Sequence, residues 1–466
     1  TWTYCTEQGR HGFTRGMGKL PKFVIDKFGI DRYGDYFFVD YPQTPGVMHG
    51  ESYCYFRRGG NYRLIASLDE RAGYTLLRYD SRCGVLTISR DCAGVRCGGV
   101  FPALELYYAE GGEDAVFDGW FAAMGVKSRG AKRLCGYSSW YNRYQNIDAE
   151  SITGDLAGCA EHMLRGDLFQ IDDGWEPAVG DWLETDAKKF PDGLKGTVRD
   201  IHGRGFLAGL WLAPFVCQKD SKIFREHPDW LLLHDGKPWY CGSNWGGFYA
   251  LDIDNAEFVR YLEQTFSLVL DDWGFDLVKL DFLYAAAPFG DARESRAGRM
   301  TRALELLRRL CGDKLILGCG VPLMPSFGLV DYCRISCDVG LDWDNSLIMR
   351  HTNRERVSTR QAIGNSISRR QLNGRAFGND PDVFFLRESN IRLSETDKYK
   401  LAVVNSLFGT LFLTSDNMGE YGSEAAALYE RLRTLSERAE NIRVDTDNGL
   451  TVYYDLEGTE QVLEIE

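Results

Sequence analysis

Two hydrophobic rhythms divide the chain. Over roughly the first 110 residues, short runs such as YFFVDY, SYCYFRR, YRLIASL, YTLLRYD and GVLTISR are rich in aromatic and β-branched residues. Gly, Asp and Arg clusters separate them, a spacing that predicts a β-sandwich. EDAVFDGWFAAM at 113–124 then predicts a linking helix. From about Lys132, buried-strand patterns alternate with amphipathic stretches. Strands are predicted at 134–138, 168–171, 207–212, 277–280, 315–319, 332–336, 375–378 and 411–414. Helices are predicted at 152–164, 194–202, 256–271, 296–310, 355–370 and 397–407. Eight βα repeats imply an α/β fold with a closed parallel barrel, a (β/α)8 TIM barrel. The expected division is a β-sandwich-like domain over 1–115, the barrel over 116–422, and a helix with a short β segment over 423–466. That last segment (LTVYYDL, EQVLEIE) is too short for a sandwich of its own.

Composition narrows the function classes. The 466 residues carry a net charge of −13, which argues against nucleic acid as the main partner. No run of apolar residues is long enough to cross a bilayer, so a membrane is not expected as a partner. The opening TWTYCTEQGR lacks the pattern of a secretory leader. The 13 cysteines are odd in number and form no CxxC pair. They predict buried free thiols in a reducing, cytoplasmic setting, with no metal site and no cofactor. The 11 Trp and 24 Tyr suit either a large core or the stacking of sugar rings. A homo-oligomer is left open.

In a barrel, chemistry is sought at the C-terminal ends of the strands, and here those ends are acidic. Strand two ends in FQIDDGW with Asp172 and Asp173, and strand four ends in LVKLDFLY with Lys279 and Asp281. Strand six ends in YCRISCDV with Arg334 and Asp338, and strand seven runs into GNDPDVFF with Asp380 and Asp382. Alternation along a strand points Lys279 and Asp281 the same way, and Arg334, Ser336 and Asp338 too if the extended path persists. Singly, each Asp could cap a helix. Together, with a Lys and an Arg, they suit glycoside hydrolysis, which needs one carboxylate nucleophile and one carboxylic acid. The two cations oppose a bound metal ion. The third connection, 213–276, is long and brings Trp230, Trp239, Tyr240 and Trp245 towards the same face.

These segments resemble the α-galactosidases of glycoside hydrolase clan D, most closely family 36, over roughly residues 115–420. VKLDFLY is similar to the strand-four motif of that family, which implies that Asp281 is the nucleophile. RISCDVGLDW is similar to its strand-six motif, which implies that Asp338 is the acid/base. IDDGW resembles the pair that grips the galactose 4- and 6-hydroxyls, here Asp172 and Asp173. GDWLETDAKKFPDGLKG, GLWLAPFV and NDPDVFF resemble further family elements. An amino-terminal β-sandwich also suits family 36. Two departures stand out. Strand five reads LILGCGVPLMPS where bacterial members carry a Cys-Ser-Gly-Gly-rich loop, and Ala213 stands where a Glu is frequent.

The resemblance implies a retaining double displacement on a terminal α-galactoside of an oligosaccharide or glycoconjugate. Lys279 is expected beside Asp281, and Arg334 at the 2-hydroxyl and the acid/base. Trp140 and Trp211 are candidates to close the pocket, and Cys319 to line it. Asp380 and Asp382 are expected to support or cap and not to touch the sugar. The altered strand-five loop leaves galactose and N-acetylgalactosamine both open at C2. A raffinose-type transglycosylase, a metal-dependent barrel hydrolase and a catalytically silent sugar-binding barrel are the competing readings.

Overall fold

The computed structural model describes residues 3–6, 46–242, 244–344, 357–446 and 449–465. The expected YFFVDY strand lies outside them.

Eight parallel strands form the centre. We label them β1 (Leu134–Ser138), β2 (Leu168–Ile171), β3 (Leu207–Leu212), β4 (Leu277–Leu280), β5 (Leu315–Gly318), β6 (Tyr332–Arg334), β7 (Gly378–Asp380) and β8 (Leu411–Thr414). β1 pairs with β2, β2 with β3, and so on through β6 and β7, while β8 pairs with β1. Val383–Phe384, just beyond β7, pairs in parallel with β8. The two outer members of the sheet are therefore halves of one segment, and the sheet closes on itself. Strands β2, β4 and β8 are buried at every position. That is why they read as largely apolar runs, interrupted only by Gln170 in β2 and Lys279 in β4 and ended by Thr414 in β8, and their limits match expectation.

The crossover helices follow their patterns and are capped by short polar side chains. Ala256–Ser267 buries Phe258, Leu262, Thr265 and Phe266 along one face, and Asn255 accepts bonds from the amides of Glu257 and Phe258. Ser295 caps Arg296–Cys311 and Ser394 caps Glu395–Phe408 in the same way.

β5 ends one residue short of expectation, at Gly318, and two strands differ by more. β6 stops at Arg334, since Ser336 turns aside to bond the carbonyls of Cys337 and Pro381. Asp338 is therefore a loop residue, and its alignment with Arg334 does not come from strand alternation. β7 begins at Gly378 and not Arg375, because Arg375 is drawn outward to Asp114 and Asp118 of the linking helix. The NDPD motif thus supplies the strand itself.

The amino-terminal β-structure has two antiparallel sheets. One contains Thr3–Thr6, Tyr53–Arg58, Asn61–Ser67 and Leu106–Gly112, the other Val47–Glu51, Tyr74–Asp80 and Val85–Asp91. Alternation decides what each face meets. Tyr53, Tyr55, Tyr62 and Leu64 join Phe117 and Trp120 of helix Glu113–Met124, whereas Cys54 packs with Leu77 between the sheets. At the other end, helix Ser423–Arg438 is followed by a separate three-stranded antiparallel sheet of Glu440–Asp445, Thr451–Leu456 and Thr459–Glu464. Cys135, Cys159, Cys217, Cys241, Cys311 and Cys333 are buried free thiols. No helix among the described residues is long and apolar enough to cross a membrane.

Candidate active site

At the end of β2 the chain presents two buried carboxylates in succession. Asp172 receives Lys279 Nζ at 2.8 Å and Gln170 Nε2 at 3.0 Å on Oδ2, while the Asp173 amide bonds its Oδ1 at 3.0 Å. Its own amide donates to Ser139 Oγ, which ties the strand-two turn to the end of β1. Asp173 Oδ2 accepts from Gln145 Nε2 at 2.8 Å and from Trp245 Nε1 at 2.9 Å. Both carboxylates are 2% exposed. Beside them, burial first, and then the Asp173 carboxylate, push the Glu176 carboxyl well above its ordinary range.

Lys279 comes from the interior face of β4 and is buried. Burial alone would lower its pKa, but the Asp172 carboxylate outweighs it and holds the ammonium above its usual range. Its ion-pair partner is thus Asp172, on β2, and Asp281 reaches it more weakly as a second negative charge.

Asp281 follows β4 directly, its amide bonded to the Leu212 carbonyl of β3. Two N–H groups orient its carboxylate: the Phe282 amide donates to Oδ1 at 2.7 Å and Trp211 Nε1 to Oδ2 at 3.2 Å. Phe282 is left-handed, with φ 52°. Gly320, at φ 54°, backs this turn; a Cβ there would lie 3.0 Å from the Phe282 amide nitrogen and 3.1 Å from Asp281 Oδ1. Glycine is required at that close approach. Cys319, one residue earlier, is buried, and burial followed by the Asp281 charge raises its thiol well above the usual range. The same thiol also feels Arg334, Lys279 and Asp338, so it stands among all four groups.

Arg334, at the end of β6, is almost fully buried and clamped by three carboxylates. Nη1 meets Asp338 at 2.9 Å, Nε meets Asp380 at 3.1 Å and Nη2 meets Asp382 at 2.8 Å. Asp338 is 49% exposed, at the open side of the cluster. Asp380 and Asp382 face inward from NDPD and are buried.

The structure therefore gathers Asp172, Asp173, Lys279, Asp281, Trp211, Cys319, Arg334 and Asp338 at the C-terminal end of one barrel. Trp140 stands apart from this bonded set: half-buried, it meets Tyr144 edge-on at 5.2 Å. Gln145, Trp245 and Glu176 were not expected as site residues. Gln145 and Glu176 lie in turns and Trp245 in the single 3-10 turn Asn244–Gly246, where no periodicity marks them. For Trp245 the signal was the aromatic content of the long third connection. Its indole packs near Trp211, Phe248 and Phe282, and its own φ of 52° is left-handed. Non-glycine residues at Trp245, Phe282 and Asp382 all carry positive φ, and such strain tends to collect where function demands a geometry.

Comparison with known proteins bears on the family of the chain. The melibiase family model matches residues 131–303. The chain is 32% identical over 182 residues to the α-galactosidase of Escherichia coli, a match that takes in 37% of this chain and 25% of that enzyme. It thus spans about a quarter of the length of that curated relative. Among solved structures, the α-galactosidase from Thermus thermophilus in complex with stachyose superposes with a TM-score of 0.70 at 30% identity, covering 83% of this chain and 80% of that one. The same enzyme with p-nitrophenyl α-D-galactopyranoside gives a TM-score of 0.72 at 29% identity, covering 89% and 80%. With its barrel, its IDDGW and KLDF strand ends and a 30% identical relative matched over most of its length, the chain belongs to the melibiase family, the family-36-like glycoside hydrolases.

Proposed function

We propose that this chain hydrolyses terminal α-D-galactosides with net retention of configuration, with Asp281 as nucleophile and Asp338 as acid/base. The observation that supports it most is the unlike setting of the two carboxylates. Asp281 is fixed by two N–H donors at the end of β4, whereas Asp338 is half exposed and paired with Arg334. A nucleophile must be aimed at one atom, and an acid/base must meet both the leaving group and water.

In the first step Asp281 bonds to the anomeric carbon as the glycosidic C–O bond breaks, and Asp338 gives its proton to the departing oxygen. In the second, Asp338 takes a proton from water, which attacks the anomeric carbon and releases Asp281. Two inversions restore the α configuration, a course that needs the carboxyls about 5–5.5 Å apart. Asp172 and Asp173 hold the axial 4-hydroxyl and the 6-hydroxyl, and Trp245 with Gln145 fixes Asp173 for that task. Trp211 aims Asp281 and walls the pocket.

Asp281→Ala tests the assignment. It should lose turnover and regain part of it with azide, yielding the β-galactosyl azide from an aryl α-galactoside. Substantial hydrolysis by that variant without azide would remove Asp281 as nucleophile.

A further inference from the structure

We infer that Asp382 is a positioning residue for Asp338, working through Arg334 and the Val339 amide without touching the sugar. The inference rests on Asp338 being the acid/base proposed above.

Asp382 cannot reach a substrate, because its side chain is 0% exposed. Instead it closes a ring of contacts around the loop that carries Asp338. Its Oδ1 meets Arg334 Nη2 at 2.8 Å. Its Oδ2 accepts from the Val339 amide at 2.9 Å and from the Tyr141 hydroxyl at 2.7 Å. Val339 directly follows Asp338, so one carboxylate holds both the backbone beside Asp338 and the guanidinium that grips its side chain. The Asp382 amide in turn donates to Asp380 Oδ1 at 2.9 Å, and Asp380 Oδ2 accepts from Arg334 Nε at 3.1 Å. The backbone takes φ 76° at Asp382 to bring this about. A non-glycine residue held there implies that the surrounding contacts compensate the strain.

The charges make the arrangement more than a brace. One guanidinium faces three carboxylates, so neutralising any of them strengthens its hold on the others. Burial pushes Asp382 up to about 6, against the opposing pull of Arg334. The charged and titratable groups facing this cluster, among the described residues, come from every neighbouring strand end. They are Arg334 at the end of β6 and Asp338 on the loop after it, Asp380 from β7, Tyr141 and Tyr144 from the β1 loop, Cys319 just past β5 and Lys279 from β4. Removing the Asp382 charge leaves Arg334 bound more fully to Asp338 as the anion. The acid form needed for glycosylation is then depleted at lower pH.

The measurement is the pH dependence of kcat/KM for Asp382→Asn, on an aryl α-galactoside with a good leaving group and on an α-galactosyl disaccharide. Asn tolerates the left-handed backbone, so the local geometry is kept. The alkaline limb should move down by about 1 pH unit, and the disaccharide should lose roughly 10-fold more activity than the aryl substrate. Tyr141→Phe removes a donor that favours the Asp382 anion, so Asp382 takes up a proton more readily and the limb should move the same way by less. It also serves as the test if Asp382→Asn does not fold. A purely structural role would lower both substrates alike with an unmoved limb, and that result overturns the inference. Asp338→Ala separates the two levels of the account. If it shows no leaving-group dependence, the acid/base assignment fails; if it shows the dependence while Asp382→Asn and Tyr141→Phe leave the limb in place, only the inference about Asp382 fails.

Discussion

Lys279 Nζ lies 2.8 Å from Asp172 Oδ2, with the two side chains 8% and 2% exposed. The pair joins β4 to β2 across the barrel mouth and fixes the carboxylate assigned to the sugar hydroxyls. Lys279→Met keeps much of the side-chain volume but leaves Asp172 buried without its cation. Breaking a buried pair from one side costs about 3–5 kcal/mol. Equilibrium unfolding in urea should show a loss of that order, together with a fall in galactoside turnover. An unchanged midpoint would mean that Gln170 and the Asp173 amide suffice to hold Asp172.

The same carboxylates predict selectivity between epimers. With an α-glucoside the 4-hydroxyl turns equatorial and leaves a buried carboxylate without its donor, at a cost of about 3 kcal/mol. Galactosides should therefore be cleaved roughly 100-fold more efficiently than glucosides. Asp172→Asn and Asp173→Asn should each narrow that ratio by slowing galactosides more. Equal kcat/KM on the two aryl α-glycosides would contradict the specificity assigned to this pair.

Trp245 offers a finer probe of the pocket. Trp245→Phe keeps a ring against Trp211, Phe248 and Phe282 but deletes the 2.9 Å bond to Asp173 Oδ2. A hydrogen bond to a charged group contributes about 1.5–3 kcal/mol, so kcat/KM for galactosides should drop roughly 10- to 100-fold. Gln145 remains as the second donor, and Gln145→Ala combined with Trp245→Phe should lose more than either alone. Galactoside kinetics unchanged in Trp245→Phe would show that Asp173 does not need the indole.

Away from the site, Glu70 gives a pH signature of stability. It accepts from the Thr75 amide and from Ser52 Oγ, and burial pushes its carboxyl up to about 8. A folded-state value above the ordinary 4.5 means that the folded chain holds a proton the unfolded chain releases. Stability from this group is complete below about pH 4.5 and is lost as pH rises towards 8. Glu70→Gln, which stays neutral, should lose less Tm between pH 5 and pH 8 than the parent chain does. Parallel Tm curves for the two proteins would contradict it.

How much of this was readable before the structure follows from burial and from loops. β2 and β4 are buried on both faces, so IDDGW and KLDF stand out as places where largely apolar strands pass into charge. The same logic located β8 but failed at β7, where GND carries no apolar run and the strand is set by its neighbours. The carboxylate set at the strand ends was legible because its members sit at fixed places relative to those runs. The partners of that set were not. Trp245 meets Asp173 across 72 positions of sequence, and Gln145 and Glu176 reach it from turns without periodicity. Lys279 looked like a companion of Asp281, its near neighbour in sequence, yet its bond is to Asp172, 107 positions away. Trp140 lies on the expected loop, but a four-residue helix turns its ring to Tyr144.

The central claim is a retaining double displacement on an α-galactoside. Proton NMR during the first minutes of aryl α-galactoside hydrolysis reads it directly, because the anomer released at the bond-breaking step appears before mutarotation scrambles it. The account predicts α-galactopyranose first, with the β anomer growing in later at the mutarotation rate. β-Galactopyranose as the first product, or no galactose released by folded protein, would contradict it.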